Sequence, residues 1–154
     1  MKSIPVNVFI SSVFSIRNRE TRPEVLLLKR TQGLAGEWCQ VAGKIKEGET
    51  AWQAALRELG EETGLKPLSL YRADVCEQFY EPARDAITMT CVFVAFVNAN
   101  DTVSLNHEHS AYRWSSFEDA IELVPFGGQR RVLRAIEEDF VQRKPSKHLL
   151  IKEL

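Results

Sequence analysis

The sequence has few cysteines, and it lacks both a cysteine pair motif and a long apolar run. Its three cysteines, Cys39, Cys76 and Cys91, are far apart and form no C-x-x-C pair. This spacing argues against a disulfide scaffold and is typical of buried thiols in a reducing compartment. No apolar run approaches the roughly 20 residues of a membrane-spanning helix, and the first residues lack the apolar segment of a signal peptide. We therefore expect a cytoplasmic protein with no membrane-embedded part.

An excess of charge of either sign is also lacking. The formal net charge is −1 over 154 residues, whereas proteins that coat nucleic acids or membrane surfaces usually carry a basic excess. The chain is 44% hydrophobic and 27% charged, as in ordinary globular domains, and it contains no internal repeat. Its length fits one domain. We predict a single domain over 1–154 that binds a small molecule, with no nucleic-acid or membrane partner.

Strand patterns and helical patterns alternate along the chain. The predicted strands cover 6–16, 25–28, 38–42, 68–79, 87–97 and 112–114, with a polar turn over 17–24 and a loop over 80–85. The predicted helices cover 50–63, 116–123 and 129–142. Strands, one helix, more strands and then helices indicate an α/β fold with a mixed sheet and helices on its faces.

The helix over 50–63 has the clearest end signals and an unusual acidic face. Thr50 and Gln53 form a capping-box pattern, and Gly64 stands where a left-handed C-terminal residue is favoured. Glu58, Glu61 and Glu62 follow the i, i+3, i+4 spacing of one helical face, where like charges repel. They require a counter-charge, which Arg57 supplies in part. Mg²⁺ or Mn²⁺ would supply the rest, because these cations prefer oxygen ligands.

Three glutamates on one helical face are, by themselves, more often a solvated surface than a metal site. The surrounding spacing changes this interpretation. Gly43 is followed after five residues by Glu49, after seven more by Arg57-Glu58-Leu59, and then by Glu61-Glu62 and Gly64-Leu65 with one residue before each pair. This pattern resembles the Nudix box at every defined position. The chain is thereby identified as a member of the Nudix (MutT-like) hydrolase family.

The resemblance implies an α/β/α sandwich and hydrolysis of a diphosphate linkage in a nucleotide-like substrate. It implies that Glu58 and Glu62 are the principal metal ligands and that Glu61 is a further ligand or a holder of metal-bound water. The carbonyl group of Ala42 or Gly43 would add a backbone oxygen. Bound Mg²⁺, or Mn²⁺, would bridge the phosphates and activate the attacking water.

Six further residues of the box have supporting roles in this interpretation. Arg57 would pair with Glu49 and thereby orient the glutamates. Gly43 and Gly64 would meet backbone requirements, and Leu59 and Leu65 would pack in the core.

A second motif, E-H-x-A-Y-R-W over 108–114, points to a branch of the family. It is similar to a string in dihydroneopterin triphosphate and dATP pyrophosphohydrolases, and also to one in asymmetric diadenosine tetraphosphate hydrolases. In both branches the glutamate faces the metals, so Glu108 is our candidate for general base or additional ligand. His107 and His109 are interpreted as polar loop residues.

The favoured substrate is a nucleoside or pterin triphosphate, cut to the monophosphate and pyrophosphate. The alternatives are a diadenosine polyphosphate, ADP-ribose, and a non-catalytic domain that senses a nucleotide. Expected substrate contacts are Arg30, Lys44, Phe79, Tyr80 and Arg84. A homodimer is compatible with the resemblance, although no segment identifies an interface.

Overall fold

The computed structural model describes residues 1–154, which form one eight-stranded sheet and three α-helices. The strands are β1 (Val6–Arg19), β2 (Arg22–Arg30), β3 (Trp38–Cys39), β4 (Val41–Lys44), β5 (Ser69–Glu81), β6 (Ala86–Phe96), β7 (His109–Ser115) and β8 (Leu150–Glu153). The helices are α1 (Ala51–Thr63), α2 (Phe117–Leu123) and α3 (Gly127–Glu137). Single 3₁₀ turns at Pro82–Arg84 and Lys147–Leu149 and a π-helical turn at Glu138–Gln142 complete the chain.

The sheet is mixed and has the strand order β3-β2-β1-β6-β5-β8, with β4 paired to β1 and β7 paired to β2. Only β1 and β6 are parallel. The β1–β2 hairpin opens towards its ends: β1 pairs with β2 over Ile16–Arg19 but with β4 over Ile10–Val13. Beyond Val25, β2 pairs with β7 and β3 instead. This opening leaves a gap in the sheet between β1 and β2.

Helices cover both faces of the sheet, because the alternating side chains of the strands build two separate cores. Leu26 and Leu28 of β2 belong to a cluster that includes Leu59 of α1. Val25 and Leu27 belong to a second cluster with residues of α2 and α3. The predicted α/β/α sandwich is therefore confirmed. None of the helices has the length and apolar character needed to cross a bilayer.

Four sequence predictions differ from the observed elements. The predicted turn over 17–24 was wrong, because the strands continue to a two-residue turn at Glu20-Thr21. The predicted strand over 38–42 is divided at Gln40, where the chain crosses from pairing with β2 to pairing with β1. The helix over 129–142 loses α-helical geometry after Glu137. The short strand β8, which pairs with β5 at the sheet edge, was not predicted.

The tight β1–β2 turn provides a test of this backbone geometry. Glu20 and Thr21 both have positive φ, 50° and 71°, which Asn and Gly adopt at lower cost in a two-residue hairpin turn. We expect the double substitution Glu20→Asn/Thr21→Gly to raise the free energy of unfolding by about 0.5–1 kcal/mol. Urea denaturation measures the change. Unaltered or lowered stability would contradict the assigned turn.

Candidate active site

Local interactions fix both ends of α1, which carries the acidic face. The Thr50 hydroxyl accepts a hydrogen bond from the Gln53 N–H at 3.3 Å, and the Gln53 side chain accepts one from the Thr50 N–H at 2.8 Å. At the other end Gly64 has φ 70° and its N–H donates to the Gly60 carbonyl. The capping box and the left-handed end predicted from the sequence are both present. They set the rotation of the helix, and therefore the direction of its glutamates.

Arg57 contacts three of the glutamates at the acidic face. Its guanidinium donates two hydrogen bonds to Glu49, at 3.1 and 2.7 Å, one to Glu58 at 2.6 Å and one to Glu61 at 3.2 Å. A fifth reaches the Lys44 carbonyl at 2.9 Å. The two bonds from Arg57 to Glu49, together with the hydrogen bond that the Lys46 N–H donates to the same carboxylate, lower the pKa of Glu49 to about 2. The guanidinium thus joins the loop before α1 to the glutamates on it.

Gly43 permits β4 to lie directly against α1. A Cβ atom at this position would collide with the carboxyl group of Glu58. The collision is with a side chain that Arg57 already holds in place, so it could not be relieved by a small rotation. The glycine of the box is therefore required for close approach between strand and helix.

Glu62 differs from the other glutamates because Arg57 does not reach it. The residue is 1% exposed, and its Oε2 atom has no hydrogen-bond partner. The nearest basic atom, Nε2 of His109, lies 3.9 Å away. Burial, followed by the charges of Glu58 and Glu108, raises the pKa of Glu62 to about 8, while Arg30 opposes the rise. Burial also lowers the pKa of His109, which favours its neutral form.

The donors around Glu62 fit a hard divalent cation. A buried carboxylate with an unpartnered oxygen is costly unless positive charge compensates it, and here the neighbouring groups include three more carboxylates. Oxygen donors of this kind suit Mg²⁺ or Mn²⁺. The side chains do not converge into a preformed cluster of three ligands, and Arg57 holds Glu58 and Glu61.

A cavity of about 790 Å³ lies at the gap between β1 and β2. Six of the predicted site residues line it: Ala42, Glu62, Glu108, Arg30, Phe79 and Tyr80. The other predicted residues of the acidic face lie around the Arg57 guanidinium instead: Glu49, Glu58 and Glu61. The cavity is large enough for a nucleotide-sized ligand.

Lys44 and Arg84 are absent from the cavity lining. The Lys44 carbonyl accepts a hydrogen bond from Arg57. The Arg84 guanidinium pairs with Glu81 at 2.9 Å and lies 4.9 Å from the ring centre of Phe9. Position along the chain does not determine where a side chain points. Their contact with substrate stays a prediction.

Several cavity residues were not predicted. His109, interpreted above as a polar loop residue, is the first residue of β7 and lies beside Glu62. Gln40, Glu77 and Gln129 also line the cavity although each is less than 10% exposed. Glu77 lies directly opposite Thr90 in the β5–β6 pair. A polar residue at an inward-facing strand position is the signal that could have identified it.

Comparisons with known proteins agree with this geometry. The model of the NUDIX domain matches residues 9–136. The asymmetrical bis(5′-nucleosyl)-tetraphosphatase of Caenorhabditis elegans is 33% identical over 99 residues, which are 63% of this chain and 71% of that protein. The crystal structure of a C. elegans Ap4A hydrolase binary complex superposes with a TM-score of 0.75 and 27% identity, covering 87% of this chain and 98% of the other.

A match to a longer protein covers only part of it. The octanoyltransferase of Myxococcus xanthus is 32% identical over 125 residues, which are 80% of this chain. The chain spans only 35% of that relative's length. The name of the whole protein therefore says nothing about the matched part.

The close approach at Gly43 predicts opposite effects for two glycine substitutions in the same motif. We expect Gly43→Ala to lower the free energy of unfolding by about 1–3 kcal/mol, because its methyl group displaces Glu58. The matched control Gly60→Ala adds a methyl group with no atom within 4 Å and should raise stability by about 1 kcal/mol through helix propensity. Urea denaturation of both variants measures these effects. Equal effects would contradict the assigned packing.

The raised pKa of Glu62 predicts how stability depends on pH in a chelator. Because this pKa is about 8 in the folded chain, against an ordinary 4.5, the protonated carboxyl favours the fold. Its contribution is complete below pH 4.5 and is lost as pH rises through 8. We expect Glu62→Gln to have a higher free energy of unfolding than the parent at pH 8 in EDTA, by on the order of 4 kcal/mol, and therefore a higher melting temperature in thermal unfolding. At pH 4.5 the two should differ little.

The matched control for that experiment is Glu122→Gln, an exposed glutamate of α2 with no hydrogen bond or ion pair. It should change stability by less than about 0.5 kcal/mol at either pH. Added Mg²⁺ should stabilise the parent and the control but not Glu62→Gln. A melting temperature for Glu62→Gln below that of the parent at pH 8 in EDTA would contradict the claim that burial of the ionised Glu62 destabilises the fold.

Proposed function

The chain belongs to the Nudix hydrolase family, and from that premise we propose that it hydrolyses a diphosphate linkage in a nucleotide-like small molecule with Mg²⁺ as cofactor. Mn²⁺ would substitute for Mg²⁺. One observation carries the proposal. The buried Glu62 carboxylate lines the cavity, has an unpartnered oxygen and lies among other carboxylates. This is the electrostatic environment that a divalent cation and a polyphosphate would complete.

The metal-binding groups in this proposal are Glu58, Glu61, Glu62 and the carbonyl of Ala42. A bound Mg²⁺ would neutralise charge on the glutamates and phosphates and lower the pKa of the attacking water. Glu49 has a different task, since both its oxygens are engaged by Arg57. Glu49 and Arg57 position the glutamates and do not touch the substrate.

The remaining chemistry requires a phosphate-binding cation and a proton acceptor. Arg30 lines the cavity and its charge acts on Glu62, so it is the side chain we assign to the phosphates. Water forms a bond to one phosphorus, the bridging P–O bond breaks, and the departing phosphate carries away the electron pair. Glu108 accepts the proton of the water in this proposal, because it lines the cavity and its charge also acts on Glu62.

Two substrate classes follow from different observations. The start of the box reads Val41-Ala42-Gly43-Lys44, whereas diadenosine hydrolases carry a proline-lysine-glycine turn there. This resemblance to the pyrophosphohydrolase branch favours a nucleoside or pterin triphosphate, cut to a monophosphate and pyrophosphate. Relatives from C. elegans, mouse, pig and rat that are 30–33% identical and named asymmetrical bis(5′-nucleosyl)-tetraphosphatases favour a dinucleoside tetraphosphate. Chromatography of the products from both substrates separates the classes, because only the first yields pyrophosphate.

Substitution of single carboxylates tests the assigned roles. With Mg²⁺ and the better of the two substrates, we expect Glu62→Gln to lower kcat at least about a hundredfold, because a metal ligand is lost. Glu108→Gln should lower kcat by about 10²–10⁴, the usual contribution of a general base. The control Glu122→Gln should keep kcat within a factor of about two.

The outcomes separate the parts of the proposal. A Glu108→Gln variant with nearly full activity, beside a severely impaired Glu62→Gln variant, would exclude Glu108 as the base. No turnover across nucleoside triphosphates, dihydroneopterin triphosphate, diadenosine tetraphosphate and ADP-ribose would refute the enzymatic function and favour a nucleotide sensor. Full activity in EDTA would refute the metal requirement.

A further inference from the structure

The wall of the cavity formed by β5 carries a carboxylate that the hydrolytic chemistry does not use. Glu77 lines the cavity and is 9% exposed. No hydrogen bond or ion pair engages its side chain. Burial raises its pKa, and only the charge of Arg131 opposes the rise. The Glu77 oxygens are not among the inaccessible unpartnered atoms, so they are open to the cavity. A ligand that covers them must offer donors, because an acceptor shut off from water without a donor is costly.

An amide group of fixed orientation lies on the same wall. The backbone N–H of Phe126 donates to Gln129 Oε1 at 3.2 Å, and Gln129 Nε2 donates to Gln40 Oε1 at 3.1 Å. A backbone N–H can only donate, so the first bond sets the orientation of the Gln129 amide and the second sets that of Gln40. Gln40 Nε2 is left without a partner. Gln40 therefore presents donors, and not an acceptor, to the cavity.

The first turn of α3 brings the two groups together. Gly128 packs against Glu77 so closely that a Cβ atom would lie 3.2 Å from its Oε1. The next residue, Gln129, holds Gln40. The charges acting on Glu62 come from Glu58, Glu108, Arg30 and Glu61, whereas the charge acting on Glu77 comes from Arg131. Glu77 and Gln40 thus both contact the first turn of α3 on the cavity wall.

We propose that Glu77 and Gln40 form a base-recognition subsite for the amino-oxopyrimidine edge that guanine and the pterins share. This edge presents an amino group, a ring N–H and an oxo oxygen in a row. The two donors match the two oxygens of the Glu77 carboxylate, and the oxo oxygen matches the Gln40 amide. Adenine offers one donor beside a ring acceptor that would face the carboxylate, and hypoxanthine lacks the amino group.

This inference rests on the proposed function, because it names the base of the hydrolysed substrate. Sites that hydrogen-bond a substrate group strongly reject analogues without it, since their own buried groups are then left unpaired. We expect kcat/KM for GTP to exceed that for ITP, which lacks only the amino group, by about tenfold or more. ATP should be poorer still. Measuring kcat/KM for dihydroneopterin triphosphate beside GTP shows whether the pterin or the guanine is the preferred base.

Substitution at Glu77 tests whether this side chain makes the distinction. Glu77→Gln has the same shape but one acceptor fewer, so the GTP/ITP ratio should fall towards one. The control Asp74→Asn alters an exposed carboxylate of the same strand and should keep the ratio. Gln40→Met removes the amide donors, and should reduce the preference of GTP over 2,6-diaminopurine riboside triphosphate, in which an amino group replaces the oxo oxygen.

Calorimetric binding of GMP, IMP and AMP repeats the comparison without hydrolysis. Preference for GMP that is lost in Glu77→Gln supports the subsite even if no triphosphate is hydrolysed, in which case the proposed function fails alone. Turnover with a GTP/ITP ratio near one in the parent overturns the subsite and leaves the hydrolase intact. An unchanged ratio in a folded Glu77→Gln variant also overturns it. If the Glu77→Gln variant does not fold, the GTP/ITP ratio of the parent protein alone supports or overturns the subsite.

Discussion

A single guanidinium holds the proposed reaction centre in place. Arg57 donates five hydrogen bonds, which is the full donor capacity of an arginine side chain. They join Glu49 and the Lys44 carbonyl, which precede α1, to Glu58 and Glu61 of the helix, and they offset the repulsion among the glutamates. Glu62 lies outside this set. Burial and the neighbouring glutamates disfavour its ionised form, and only Arg30 opposes them. The same interaction therefore explains both why the acidic face is stable and where a cation is required.

The elements that the sequence predicted well are those determined by neighbouring residues. The caps of α1 and the partnership of Arg57 with Glu49 depend on residues within one helix and the loop before it. Glu58 and Glu61 lie at the guanidinium, whereas Glu62, expected on the same face, is buried at the cavity. Their spacing is visible in a single sequence, and the two-sided packing of the sheet follows from strand alternation. The roles of these residues in binding and catalysis, however, are still proposals.

The elements that were missed depend on contacts between distant parts of the chain. Gln40 and Gln129 are 89 residues apart, and no local pattern relates them. The surroundings of Glu77 include Gly128 of α3, which packs against its Oε1 atom from a distant part of the chain. Strand β8 is only four residues long and is stabilised by the sheet edge it joins. In each case tertiary pairing determines the outcome.

The gap between β1 and β2 has a consequence for how the protein can change over evolutionary time. It gives the cavity two walls from different chain segments: the β4–α1 segment with the glutamates, and the β5 and α3 segments with Glu77 and Gln129. Gln40 stands between them, at the point where the chain crosses the gap. With the roles proposed for these walls, bond cleavage and choice of base can vary independently, so that a lineage can acquire a new substrate while its reaction stays the same.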